Sequence, residues 1–162
     1  MQENSHPGAL RDPKRLRTTE AFSFALGVLL IDLITKSILF NNAAIGTPRW
    51  FRGLIALVVH KNTGVSFDIP LPLPLIVLIT IGVLGYFWNR FRHMDSPTRM
   101  QAIALGLLTG GALGNFIDRL WLGYVRDWLL LFGRSAINLA DVSVLLGLLL
   151  LTIRRKPITR NA

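Results

Sequence analysis

The stretch NLADVSVLLGLLLLTI, Asn138 to Ile153, decides how many times this chain crosses a membrane. Its uninterrupted apolar run, Ser143 to Ile153, is too short alone, because a spanning helix needs about 20 residues and at least about 17. The run reaches that length only by taking in Ile137 to Val142, which draws Asn138 and Asp141 to the membrane boundary. A charged group inside a span costs roughly 2.5–3.5 kcal/mol on insertion scales, so a carboxylate kept there is a functional suspect. Read as a span with a polar mouth, the stretch makes the number of crossings even.

Three further apolar runs lie upstream, Phe22 to Phe40, Leu75 to Trp88 and Met100 to Ile117. The first and third suffice unaided, and the second must recruit Ile69 to Leu73 or the aromatic end at Phe87. With 162 residues, 51% of them hydrophobic, and a mean hydropathy of +0.47, the chain reads as one domain of the membrane class. The net charge of +9 would suit nucleic acid if the cations were clustered to meet phosphate. Instead eleven of the eighteen Lys and Arg fall on one side of the four spans and six on the other, with Lys36 inside the first. The positive-inside rule then places both termini in the cytoplasm and the segments 41–73 and 118–136 outside. The predicted fold class is an all-α membrane protein with four transmembrane helices, and no nucleic-acid partner is expected. Residues 1–20, polar and with two prolines, read as a disordered cytoplasmic tail, 21–156 as the membrane domain and 157–162 as a second cytoplasmic tail. The first run carries Asp32 and Lys36, which a secretory h-region does not, so it reads as an uncleaved helix.

The chain has no cysteine, which excludes disulfides, thiolate nucleophiles and cysteine metal sites. Its three histidines, His6, His60 and His93, are far apart and form no H-E-x-x-H, so neither a metal nor another cofactor is expected. Serine catalysis lacks a G-x-S-x-G elbow, and Ser37 beside Lys36 cannot face it on a helix. Carboxylates are the remaining candidates for catalysis.

They occur in polar positions of otherwise apolar segments. Asp32 and Lys36 stand at i, i+4 and share a helix face, as a structural ion pair or as substrate contacts. In GGALGNFIDRL, Gly110 and Gly114 form G-x-x-x-G for close helix packing. Asn115, Asp118 and Arg119 then open a polar face at the outer end of that span, suited to binding a substrate carbonyl or to tying down a loop. Asp127 lies in an outer segment whose neighbours Trp128 to Leu130 suit the membrane interface, and taken alone it reads as a solvated loop residue. Asn138 and Asp141, at i, i+3, open the last helix, as a cap or as a site. Two carboxylates brought together at such a boundary share a proton, one serving as base and the other as acid, and so activate water for hydrolysis without metal. Between the first two spans, Leu54 to His60 reads as a strand, followed by a turn at Asn62 and Gly64, and Asp68 as a solvated residue.

The blocks LIDLITK, NTGVSF, GGALGNFIDR, VRDW and NLAD, in this order over about residues 25–153, resemble the bacterial lipoprotein signal peptidases, or signal peptidase II. The resemblance implies a four-helix membrane aspartic protease with a small extracytoplasmic β-cradle, placed in the plasma membrane and active at its outer surface. It implies removal of signal peptides from diacylglyceryl-modified prolipoproteins just before the lipidated cysteine, by a monomer in contact with membrane lipid, and inhibition by globomycin-type cyclic peptides. Carried over by motif, Asp127 and Asp141 are the catalytic pair. Asp32, Lys36, Asn62, Gly64, Asn115, Arg119 and Asn138 bind substrate or support the pair, and Asp118 is supporting. The chain departs from the pattern at Trp128 and Ile137, in a short segment between the two aspartates, and at Arg126, whose charge beside Asp127 is expected to favour the ionised carboxylate. The competing function is a non-enzymatic small membrane transporter or binding protein. Most ionisable groups gather at the outer end rather than through the bilayer's depth, which favours surface chemistry.

Overall fold

The computed structural model describes residues 12–40, 42, 49–50, 54–65 and 69–153. Asp68 and the two ends of the chain, 1–11 and 154–162, with the expected second tail, lie outside the described residues. Helix α1 runs Pro13–Thr35 and continues as a π-helical turn over Lys36–Phe40. It begins inside the segment expected to be a disordered tail. Asp12 caps it by accepting the Lys14 amide at 3.0 Å, Pro13 sits in the first turn, and Arg17 pairs with Glu20 at 2.7 Å. These local bonds give the polar segment a helical start that its composition alone does not reveal.

Strands β1 (Arg49–Trp50) and β2 (Ile55–Asn62) precede α2 (Leu73–Arg92) and α3 (Arg99–Leu122). Strands β3 (Val125–Leu131) and β4 (Ser135–Ile137) then lead into α4 (Leu139–Thr152). The molecule is mostly helical, with one antiparallel sheet in the order β1-β2-β3-β4. The strand expected at Leu54 to His60 is observed as β2, whereas β3 and β4 were not foreseen. Their turn holds Phe132 at φ 54° and Gly133 at φ 64°, a conformation that glycine adopts without steric penalty.

By length and composition α1 with its π turn, α2 and α3 can each cross a membrane. Helix α4 is more apolar than any of them but has 14 residues. At 1.5 Å per residue it covers about 21 Å, less than the roughly 30 Å of a bilayer's hydrocarbon core.

Helix α3 is the axis of the bundle, with α1 and α4 packed along it. A Cβ at Gly106 would lie 2.8 Å from the Ala21 carbonyl oxygen, and one at Gly111 2.5 Å from that of Ala140. Only glycine permits both approaches. At one end Ala21 of α1 packs with Phe91 of α2 and with Ala102 and Leu105 of α3. At the other, the carboxyl ends of α1 and α3 meet the amino end of α4, through Lys36–Asp118 at 3.3 Å and Asn115–Asp141 at 2.7 Å. The helices therefore run alternately up and down, and the sheet lies at the end where the polar residues converge.

Candidate active site

Asp127 is fully buried on β3. Its Oδ2 accepts from Asn62 Nδ2 at 3.0 Å, and its Oδ1 accepts from Asn138 Nδ2 at 2.6 Å. Burial pushes its carboxyl up from the ordinary 3.8 to about 6. The negative charge of Asp141 adds to the rise, while the amide donors of Asn62 and Asn138 and the charge of His60 oppose it.

Asp141 sits in the first turn of α4 and is half-buried. Asn138, the cap, and Asp141 bond reciprocally: the Asp141 amide donates to Asn138 Oδ1 at 3.0 Å, and the Asn138 amide donates to Asp141 Oδ2 at 3.2 Å. The capping reading of this pair is thus correct, and the cap also reaches the other aspartate. Through its backbone and side chain Asn138 touches both carboxyls.

Asn115 of α3 joins the remaining groups. Its Nδ2 donates to Asp141 Oδ1 at 2.7 Å, while its Oδ1 accepts from Asn138 Nδ2 at 3.1 Å and from Lys36 Nζ at 2.8 Å. Two donors on the Oδ1 side fix which way the amide points, and so aim its N–H at Asp141. Lys36 is fully buried at the start of the π turn, a helical irregularity often found at functional sites. Its ammonium lies 2.7 Å from Asp32 Oδ2, an ion pair outside ideal hydrogen-bond angles, and 3.3 Å from Asp118 Oδ2. Asp32 in turn accepts the Ala140 amide at 2.9 Å, which secures the opening turn of α4 to α1. A Cβ at Gly114 would run into the Asp32 carboxylate, so this glycine makes room for the ion pair.

The turn after β2 is held from two directions. The Gly64 amide donates to Asn62 Oδ1 at 3.0 Å, and the Gly64 carbonyl accepts from Arg119 Nη2 at 2.7 Å. Arg119 also donates from Nη1 to the Asn115 carbonyl at 3.3 Å. All nine residues singled out in the sequence, Asp32, Lys36, Asn62, Gly64, Asn115, Arg119, Asp127, Asn138 and Asp141, are joined in one polar network.

Arg126 corrects an expectation. Successive residues of a strand face opposite sides, and its guanidinium meets Asp118 rather than Asp127, with Nη2 to Oδ1 at 2.7 Å and Nε to Oδ1 at 3.2 Å. The Arg126 backbone amide also donates to Asp118 Oδ2 at 3.1 Å, so α3 grips β3 one residue before Asp127. The expected bias toward an ionised Asp127 is overridden, because burial dominates there. The sequence reading missed His60, which stands directly opposite Asp127 in the β2–β3 register. The sequence ended the strand at His60 and put Asn62 in a turn, whereas β2 runs on to Asn62, where period-two spacing sets the two side chains on one face.

Asn138 bonds both carboxyls, and burial raises the proton affinity of one of them, an arrangement whose chemistry suits general acid and base catalysis. The sequence and structural relatives bear on what is hydrolysed. The family described as signal peptidase (SPase) II matches residues 24–155. A lipoprotein signal peptidase of Aquifex aeolicus is 35% identical over 153 residues, covering 86% of this chain and 89% of the relative. One from Mycobacterium tuberculosis is 33% identical over 156 residues, covering 91% of this chain and 75% of the relative. A solved structure described as a bacterial membrane enzyme superposes with a TM-score of 0.70 at 25% identity, covering 82% of this chain and 84% of that chain. A second, also described as a bacterial membrane enzyme, gives 0.69 at 26% identity, covering 82% and 89%.

Proposed function

The chain belongs to the signal peptidase II family, and from that premise we propose that it is an aspartic endopeptidase whose catalytic pair is Asp127 and Asp141. It is a multi-pass bacterial membrane protein that removes signal peptides from prolipoproteins, and the transporter alternative is not favoured. In the proposed arrangement four helices span the plasma membrane, both termini are cytoplasmic, and the sheet lies at the extracytoplasmic surface. The enzyme acts as a monomer and cuts just before the diacylglyceryl cysteine. The depth of the pair follows from the substrate: lipid holds the cysteine at the bilayer surface, and the carboxyls wait at the mouth of the short α4.

The observation that carries the pair is Asn138, which donates to Asp127 Oδ1 from its side chain and to Asp141 Oδ2 from its backbone. In the proposed reaction Asp127 holds the shared proton and Asp141 is ionised. Asp141 takes a proton from water as its oxygen attacks the scissile carbonyl carbon, and Asp127 gives its proton to the carbonyl oxygen. The tetrahedral diol then collapses: the C–N bond breaks, the cysteine amine leaves with the proton held by Asp141, and Asp127 recovers its own. Arg119, whose buried Nε has no hydrogen-bond partner among the described residues, offers a donor to substrate at the rim. Asp32, Lys36, Asn62, Gly64, Asn115 and Asn138 keep the pair in place.

The test is cleavage of a purified diacylglyceryl-modified prolipoprotein by the detergent-solubilised protein, read by gel shift, with Asp127→Asn and Asp141→Asn alongside. Cleavage by wild type and by neither variant is expected. Cleavage by either variant at the wild-type rate would rule out the pair.

A further inference from the structure

The sheet register sets another titratable side chain against Asp127. Leu57 pairs with Leu129 and His60 with Asp127, so β2 passes three residues while β3 passes two. This is a β-bulge, a feature that re-aims the side chains beyond it. Without the extra residue Val59 would stand opposite Asp127, and His60 would turn to the other face with Arg126. With it, His60 and Asn62 share the face of Asp127, and residues directly opposite in such a pair have Cβ atoms about 4.5–5.5 Å apart. His60 is half-buried while Asp127 is fully buried, so the imidazole is the more exposed member of the pair.

The charged groups that act on Asp127 come from three elements: Asp141 from α4, Arg119 from α3 and His60 from β2. Lys36 of the π turn meets Asn115, and Arg126 of β3 meets Asp118. Of these groups only an imidazole ordinarily changes its charge between pH 5 and 8.

We infer that His60 is a positioning residue of the site: by gaining or losing its own proton, its imidazole sets how firmly the Asp127 carboxyl keeps the shared proton. The inference rests on the proposed reading in which Asp127 is the proton-holding member of the pair. A positive charge on His60 favours the ionised Asp127, so acidification has two opposed effects. It supplies protons to the pair while making Asp127 release its proton more readily. The result is a flatter response of the enzyme to the pH of the outer face than an isolated carboxyl would give.

Two substitutions with opposite electrostatic consequences test this. His60→Gln is neutral at every pH, and His60→Lys carries its charge through the working range. Each is purified in detergent, and cleavage of a diacylglyceryl-modified prolipoprotein is followed from pH 5 to 9. The infrared carboxyl band of Asp127 is titrated in parallel, identified by its absence in Asp127→Asn. The upper arm of the activity profile and the infrared midpoint are expected to move up by roughly half a pH unit in His60→Gln and down by a similar amount in His60→Lys. A change in the height of the profile with neither midpoint displaced would overturn the inference, since a residue that only shapes the strand alters height alone. If His60→Lys fails to fold, His60→Gln decides by the same criterion. Full cleavage by Asp127→Asn would instead remove the reading on which the inference rests, and so separates the two failures.

Discussion

The raised proton affinity of Asp127 predicts a pH-dependent stability that disappears in Asp127→Asn. In the folded protein the carboxyl titrates at about 6, against 3.8 for an ordinary aspartate. The separation is about two units, and at about 1.4 kcal/mol per unit it corresponds to about 3 kcal/mol. The sign follows from which state binds the proton more tightly. Folding favours the protonated carboxyl, so the contribution is complete below pH 3.8 and is lost as the pH rises through 6. An asparagine does not titrate and removes this dependence. The substitution also has a constant cost: Asp127 accepts from two amide groups, those of Asn62 and Asn138, and an asparagine oxygen replaces only one of its acceptors. An unsatisfied buried donor costs about 1–3 kcal/mol at every pH. The absolute stability of the variant is therefore a poor test, and the change with pH is the useful one. Thermal unfolding of both proteins in one detergent, followed by tryptophan fluorescence from pH 4 to 8, gives the difference directly. The variant should gain on wild type by about 3 kcal/mol across the window, roughly 6–12 °C in Tm for a chain of this size, and the difference should level off above pH 7. A difference that stays flat from pH 4 to 7 would refute both the raised proton affinity and the assignment of the shared proton to Asp127.

Other perturbations follow from the same contacts. Asp118→Asn loosens the grip on Arg126 and Lys36 without touching the proposed pair, so cleavage should fall on the order of 10-fold, against a loss of roughly 1,000-fold or more in Asp141→Asn, both measured as kcat/KM. Gly114→Ala drives a methyl group into the Asp32 carboxylate and should lower both Tm and activity, whereas Gly27→Ala, with nothing within 4 Å of the added carbon, should leave both near wild type. Lys36→Met leaves Asp32 and Asp118 buried without that cation, which should lower stability by about 3–5 kcal/mol in denaturant titration. Because the chain has no native cysteine, Lys61→Cys reports topology cleanly, and an impermeant maleimide should label it from the outside of intact spheroplasts.

Local spacing made much of the site legible. Asp32 with Lys36, Asn115 with Arg119, and Asn138 with Asp141 each lie three or four residues apart, and helix geometry alone puts each pair on one face. The apolar runs likewise revealed the helices, and the short last run drew attention to the residues at its mouth. Spacing says nothing about contacts across 65 residues, as between Asn62 and Asp127, or across 79, as between Lys36 and Asn115. Family resemblance placed those residues in one site without saying which of them pair. Strand β3 escaped because Trp128 to Leu131 is a continuous apolar run, which suits a membrane interface as well as a strand. His60 escaped for a sharper reason. Its face depends on a one-residue bulge in β2, and a register slip of one residue turns every later side chain to the opposite side.

The distribution of partners explains how a site crowded with charge can still share a proton. Asp127 and Asp141 accept from the amides of Asn62, Asn115 and Asn138, groups that donate hydrogen bonds but carry no net charge. The cations Lys36 and Arg126 meet Asp32 and Asp118, which the proposed chemistry does not use. Were either cation bonded to Asp127, it would lower that carboxyl's proton affinity by about one to three pKa units and cancel much of the rise that burial gives it. Charge is balanced one layer behind the pair, two carboxylates against two cations, while the amides transmit position and leave protonation free. Asn115 links the layers: Lys36 fixes its oxygen, so its N–H can point only toward Asp141. The buried charges thus order the site through a neutral intermediary, which allows the two proposed catalytic carboxyls to be held firmly without both being kept ionised.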